Sequence, residues 1–144
     1  MVLGVDTTRH YLEGVAMPIA LPRWGLVAIG GLVGSVARYS LSGAVQDVTG
    51  HTFPSGTLAV NIVGSFIIGL VMALSLERGL LGDEWRILLT TGFCGGFTTM
   101  STFSYETLAL LRDGESALAL LNVTASFVVC VGAAWLGNTV GRLA

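Results

Sequence analysis

Four apolar stretches, each about as long as a lipid bilayer's hydrocarbon core is thick, leave this chain little choice of solvent. The first covers residues 24–45, with Arg38 as its lone charge, and the second covers 57–76 with none. The third extends over 85–111, uncharged from Ile87 to Tyr105, and the fourth over 116–135. A helix rises about 1.5 Å per residue, so about 20 residues cross a hydrocarbon core of about 30 Å. The connections at 46–56, 77–84 and 112–115 are too short to hold a soluble domain. Composition agrees: 11% of the 144 residues are charged and 53% hydrophobic, too little charge to clothe a water-soluble domain of this size. The expectation is an all-α membrane protein with four transmembrane helices in residues 23–144.

Residues 1–22 do not read as a signal peptide, because Asp6, Arg9 and Glu13 mix signs and Pro18 breaks the short apolar run. They are expected to be a poorly ordered extension, within which Met17 is a second candidate start. Every basic residue is Arg, and the net charge of −2 gives no electrostatic basis for binding nucleic acid. Cys94 and Cys130 lie within apolar runs without a metal-type spacing and read as buried free thiols. No nucleophile, metal cluster or paired acid and base supports an enzyme. A four-helix bundle is thin, so self-association is expected. An even number of spans puts Arg9, Arg23, Arg78, Arg86 and Arg142 at one end and Arg38 and Arg112 at the other. That count leans toward cytoplasmic termini, and it weakens to an undecided, dual orientation if Arg9 and Arg38 drop out. Paired small residues one turn apart, Gly30 and Gly34, Ser65 and Gly69, Gly137 and Gly141, are read as helix-packing positions.

The middle of the third span is its weakest point as a helix. Gly92-Phe-Cys-Gly-Gly-Phe-Thr-Thr99 puts three glycines and two threonines within eight residues. At bilayer depth an interruption survives only where the released peptide groups meet protein, water or an ion. Released carbonyls suit a hard monovalent cation, and the N-terminus of the second half-helix suits an anion. A glycine kink used only for close packing is the competing reading. Beyond it, Met100 and Phe103 share a helical face beside Ser and Thr hydroxyls. An aromatic edge and neutral donors can replace water around a small anion without trapping it.

The run Gly92-Phe-Cys-Gly-Gly-Phe-Thr-Thr-Met-Ser-Thr-Phe-Ser-Tyr-Glu106 resembles the third-helix signature of the fluoride channel family (Fluc, also called CrcB). Gly30-Gly-Leu-Val-Gly-Ser-Val-Ala-Arg38-Tyr39, Gly56-Thr-Leu-Ala-Val-Asn61-Ile-Val-Gly-Ser-Phe66 and Leu120-Leu-Asn-Val123 accompany it in order, so the likeness covers about residues 24–135. The resemblance implies a broken third helix and an antiparallel, dual-topology homodimer in the cell inner (plasma) membrane. It implies passive fluoride export that lowers cytoplasmic fluoride, through two pores per dimer with a structural sodium ion at the centre. Carried over by position, the backbone carbonyls of Gly95 and Thr98 would hold the sodium. Asn61, Met100, Ser101, Thr102, Phe103, Asn122 and Ser126 would line the fluoride pathway, with Arg38 and Glu106 at a vestibule. One departure stands out: the first position of the family's phenylalanine box is Met100 here, which lacks a ring edge. Either that wall is tolerated or altered in affinity, or a different homologous chain pairs with this one and supplies the ring.

From the residues alone, Asn61 is either a bond between helices or a pathway donor. Arg38, about 22 Å along its helix from Arg23, either snorkels to the interface or serves a vestibule. Glu106 is the acidic residue expected to enter a span, where carboxylates are functional by default. It also carries the rival reading, a small proton-coupled multidrug exporter; a third is a membrane scaffold that transports nothing.

Overall fold

The computed structural model describes residues 21–144, and the expected extension therefore lies outside the described residues except for its last two. All regular structure among the described residues is helical: α1 (Arg23–Thr49), α2 (Ser55–Met72), α3 (Asp83–Ile87), α4 (Gly95–Phe97), α5 (Met100–Arg112) and α6 (Ser116–Leu143). Two π-helical segments join this series, Ala73–Glu77 continuing α2 and Leu88–Cys94 linking α3 to α4. Three of the described helices are long and apolar enough to cross a membrane: Arg23–Thr49, Ser55–Glu77 and Ser116–Leu143. The expected third span is instead a series of short helical pieces from Asp83 to Arg112.

Pro22 begins α1, its fixed φ suiting a first turn and its carbonyl accepting from the Gly25 amide at 2.8 Å. The helix runs past residue 45 to Thr49, because polar Gln46 and Asp47 are no obstacle to helix. It stops at Gly50, whose φ of 83° is left-handed. Gln46 then organises the turn into α2: its amide nitrogen donates to the carbonyls of Gly50 and Phe53, and its oxygen accepts from the Gly56 amide at 3.1 Å. At the other end of the bundle, Arg142 pairs with Glu77 at 2.7 Å and Asn138 donates to the same carboxylate at 3.1 Å. Arg78 donates to the Arg142 carbonyl at 3.1 Å. The loop after α2 and the end of α6 therefore share one end, as an even count of spans requires.

Small residues set the helix pairings. A Cβ on Gly69 would lie 2.1 Å from the Ala134 carbonyl oxygen, and one on Gly137 would lie 2.1 Å from that of Phe66. So α2 and α6 touch backbone to backbone, a distance only glycine permits. On the other side, Gly30 and Gly34 of α1 meet Leu88 and Phe93 in the same way, and Gly96 meets Gly31. The packing role expected of these pairs is present, except that Ser65 lines a cavity instead. The buried core is correspondingly slight (Leu26, Val60, Ala73, Cys94, Phe97 and Ala119 among its apolar members), while large apolar side chains along α1 and α6 face outward. That inversion suits a bilayer and not water.

Candidate functional site

The interruption in the third span falls on two β-branched residues and not on the glycines. Gly95 is right-handed helical (φ −61°, ψ −38°), whereas Thr98 (φ −85°, ψ 160°) and Thr99 (φ −151°, ψ 115°) are extended. The glycine-rich run remains helical because none of its members needs a positive φ; Gly92 and Gly96 are instead spent on close contact with α1. Threonine accepts extended backbone readily, and Thr99 has a second use as the cap of α5. Its hydroxyl accepts from the Thr102 amide at 3.2 Å and donates to the Thr102 hydroxyl at 2.9 Å.

Released peptide groups must find partners at this depth. The first half-helix closes with the Thr98 amide on the Cys94 carbonyl at 2.9 Å, and the Thr98 hydroxyl donates to that oxygen at 2.9 Å as well. Thr99 is then taken by α2. Its amide donates to Asn61 Oδ1 at 2.9 Å, and its carbonyl accepts from Asn61 Nδ2 at 3.2 Å. One side-chain amide thus satisfies both peptide groups of a residue in the break. The bonds have a consequence for two carbonyls. A continuous helix would give Gly95 O the Thr99 amide and Thr98 O the Thr102 amide; here those donors go to Asn61 Oδ1 and Thr99 Oγ1.

Two cavities meet at Thr99, which lines both. The chamber, of about 570 Å³, is bounded by Asn61 on α2, Gly95, Thr98, Met100 and Phe103 on the third span, and Ser126 on α6. Its surface is mostly apolar, and the Ser126 hydroxyl is buried without a hydrogen-bond partner among the described residues. Met100 stands 72% exposed at its rim. The vestibule, of about 910 Å³, opens toward the α1–α2 and α5–α6 turns and is more polar; Arg38, Thr57, Thr102 and Glu106 line it. One Glu106 oxygen accepts from the Thr57 hydroxyl at 2.9 Å, and the other is buried with no partner among the described residues.

Most of the residues singled out in the sequence therefore converge. Asn61, Met100, Phe103, Ser126, Gly95 and Thr98 share the chamber, and Arg38, Glu106 and Thr102 share the vestibule. Ser101 lies on the exposed side of α5 with its hydroxyl 3.3 Å from that of Thr99, outside both cavities. Asn122 is 1% exposed, also lines neither, and donates to the Thr107 hydroxyl at 2.9 Å. Thr57, Thr99 and Thr107 were not singled out. A threonine directly before the run that opens at Met100 was a legible cap signal; the partners of Thr57 and Thr107 lie far along the chain and left none. Among the described residues no cluster of three or more His, Cys, Asp or Glu could hold a metal ion.

The model of the family described as "CrcB-like protein, Camphor Resistance (CrcB)" matches residues 25–138. The chain is 53% identical over 116 residues to a protein of Geobacter sulfurreducens named fluoride-specific ion channel FluC, a match covering 81% of this chain and 94% of that protein. Proteins of the same name from Geotalea daltonii (51% over 116 residues, 81% and 94% covered) and Magnetococcus marinus (51% over 117 residues, 81% and 95% covered) are similar to it as well.

Proposed function

The chain belongs to the CrcB-like family, and from that membership we propose that it is a membrane channel for fluoride and not an enzyme. The observation that carries the proposal is the break at Thr98–Thr99, pinned by Asn61 where a chamber and a vestibule meet. Fluoride is small and strongly hydrated, so a route through hydrocarbon must replace its water with donors that do not bind it too well. Hydroxyls of Thr102 and Ser126, which line the vestibule and the chamber, are neutral donors of that kind. The first amides of α5 point toward the chamber end of a 13-residue helix, whose dipole favours an anion there. The Phe103 ring offers an edge of positive potential. Arg38 and Glu106 flank the vestibule and set the field that an entering anion meets.

A monomer leaves the chamber open at a rim of Met100 and Phe127. In our reading a second, antiparallel copy closes it in the cell inner membrane, four spans to a copy, and gives two routes per dimer. The carbonyls of Gly95 and Thr98, their helical donors diverted, fit a structural sodium ion shared between the copies. When bound, that ion would supply a fixed positive charge and brace the break; all other duties fall to the residues above. Passive flow suffices for export: hydrogen fluoride enters neutral, ionises in the cytoplasm, and the anion needs only a way out. Against the exporter reading built on Glu106 stands the family itself.

The test is growth of a fluoride-sensitive bacterial strain lacking its own fluoride channels. Expression of this chain should restore growth in fluoride, and Glu106→Gln should keep most of the protection. No rescue by a membrane-inserted chain would overturn the channel, and complete dependence on the Glu106 carboxyl would favour a proton-coupled exporter.

A further inference from the structure

We propose that Asn122 and Thr107 form a clamp that positions the Phe103 ring in the chamber; the inference rests on the channel reading above. Asn122 is almost fully buried, and an amide buried in an apolar bundle is costly unless bonded. Its Nδ2 donates to Thr107 Oγ1 at 2.9 Å, and that hydroxyl donates to the Phe103 carbonyl at 2.7 Å. A hydroxyl has one proton. Because it goes to Phe103, a lone pair is left facing Asn122, and the direction of the relay is set.

The relay matters because it carries a side-chain hydrogen bond between α5 and α6. None of the described glycines makes a close approach between these two helices; those of α6 face α2 or open space. The connecting turn pivots on Gly114, whose φ is 80°. Phe103, on α5, and Val123 and Ser126, on α6, all line the chamber, and Asn122 sits directly before Val123. A slip of α5 along α6 therefore changes the gap between the ring and the Ser126 hydroxyl. Asn122 and Thr107 line neither cavity themselves, so they act on the anion through Phe103. Asn122, which the resemblance puts in the pathway, is a positioning residue in this account.

The experiment measures fluoride efflux from liposomes, per assembled channel, for the unaltered chain, Asn122→Ala, Thr107→Val, the double variant and Thr107→Ser. Loss of one hydrogen bond in the relay is expected to lower flux about fivefold, the factor that corresponds to about 1 kcal/mol. Asn122→Ala and Thr107→Val should fall together, the double variant should fall no further, and Thr107→Ser should stay near the unaltered rate. The concentration of fluoride giving half-maximal flux should shift in both weak variants, which a contact that only holds the fold together would not cause. A fall in Asn122→Ala with Thr107→Val unchanged would make Asn122 a direct donor and overturn the clamp. So would unchanged flux in both, or failure of Thr107→Ser to conduct. If Asn122→Ala does not assemble, the near-isosteric Thr107→Val against Thr107→Ser decides alone. Absence of flux in the unaltered chain would sink the channel reading itself, a separate result.

Discussion

Before the break, the third span lies against α1 backbone to backbone, glycine fitted to glycine; after it, α5 is joined to the bundle largely through hydroxyls and amides. A Cβ on Gly30, Gly34 or Gly96 would overlap the facing backbone at Leu88, Phe93 or Gly31. By contrast α5 hangs from Asn61 at the break, from Thr57 through Glu106, and from Asn122 through Thr107. The first arrangement is rigid and intolerant of volume, since a packed interface has no slack. The second tolerates changes of volume and depends on polar partners, each worth about 0.5–1.5 kcal/mol. Residues that would contact an anion sit on or beside the second half. A route for an ion needs polar groups that can exchange partners, and close-packed glycine backbone offers none.

Substitutions should separate the halves. The largest effect belongs to Gly34→Leu, where even a Cβ would fall 2.2 Å from the Phe93 carbonyl oxygen. Overpacking by about 3 kcal/mol or more removes a large part of a stability of about 5–15 kcal/mol. The expected outcome is loss of monodisperse protein on size-exclusion chromatography in detergent. Asn61→Leu comes next: the branched shape is kept, but both peptide groups of Thr99 lose their partners. We expect about 2–3 kcal/mol of destabilisation, read as a lower melting temperature, and strongly reduced fluoride flux in what still assembles. If Asn61→Leu proved as damaging to assembly as Gly34→Leu, the contrast between the halves would fail.

Thr57→Val removes one bond to Glu106 at a half-open site, and about 1 kcal/mol is expected in the same melting experiment. Met100→Phe should change least. Within one copy the side chain is largely exposed, so a ring meets no wall of its own chain; stability should alter by no more than about 0.5 kcal/mol, with conduction retained. Loss of flux in Met100→Phe would mean that this position is more than a wall.

Legibility in the sequence followed the same division. The three long apolar helices and most of the small-residue pairs were readable because they depend on local composition and on a one-turn repeat. An interruption near residues 92–99 was readable too, but its seat was not. Glycine is permissive of a break without compelling one. Thr98 and Thr99 extend because Asn61, 38 residues away in sequence, supplies what the helix no longer does. The π-helical segment Leu88–Cys94 also left no local mark, though it holds Gly92 against α1. The tethers of α5 are pairings between distant residues, and one sequence shows each partner without showing the pair. Asn122 illustrates this, since its residue type was legible and its bond to Thr107 was not.

The most direct measurement is anion efflux from liposomes containing only this purified chain, with a potassium ionophore to balance charge, comparing fluoride-loaded with chloride-loaded vesicles. The account predicts rapid fluoride loss that requires the ionophore, and chloride retention indistinguishable from protein-free liposomes. Assembled protein that releases no fluoride, or that releases chloride as fast, would contradict it.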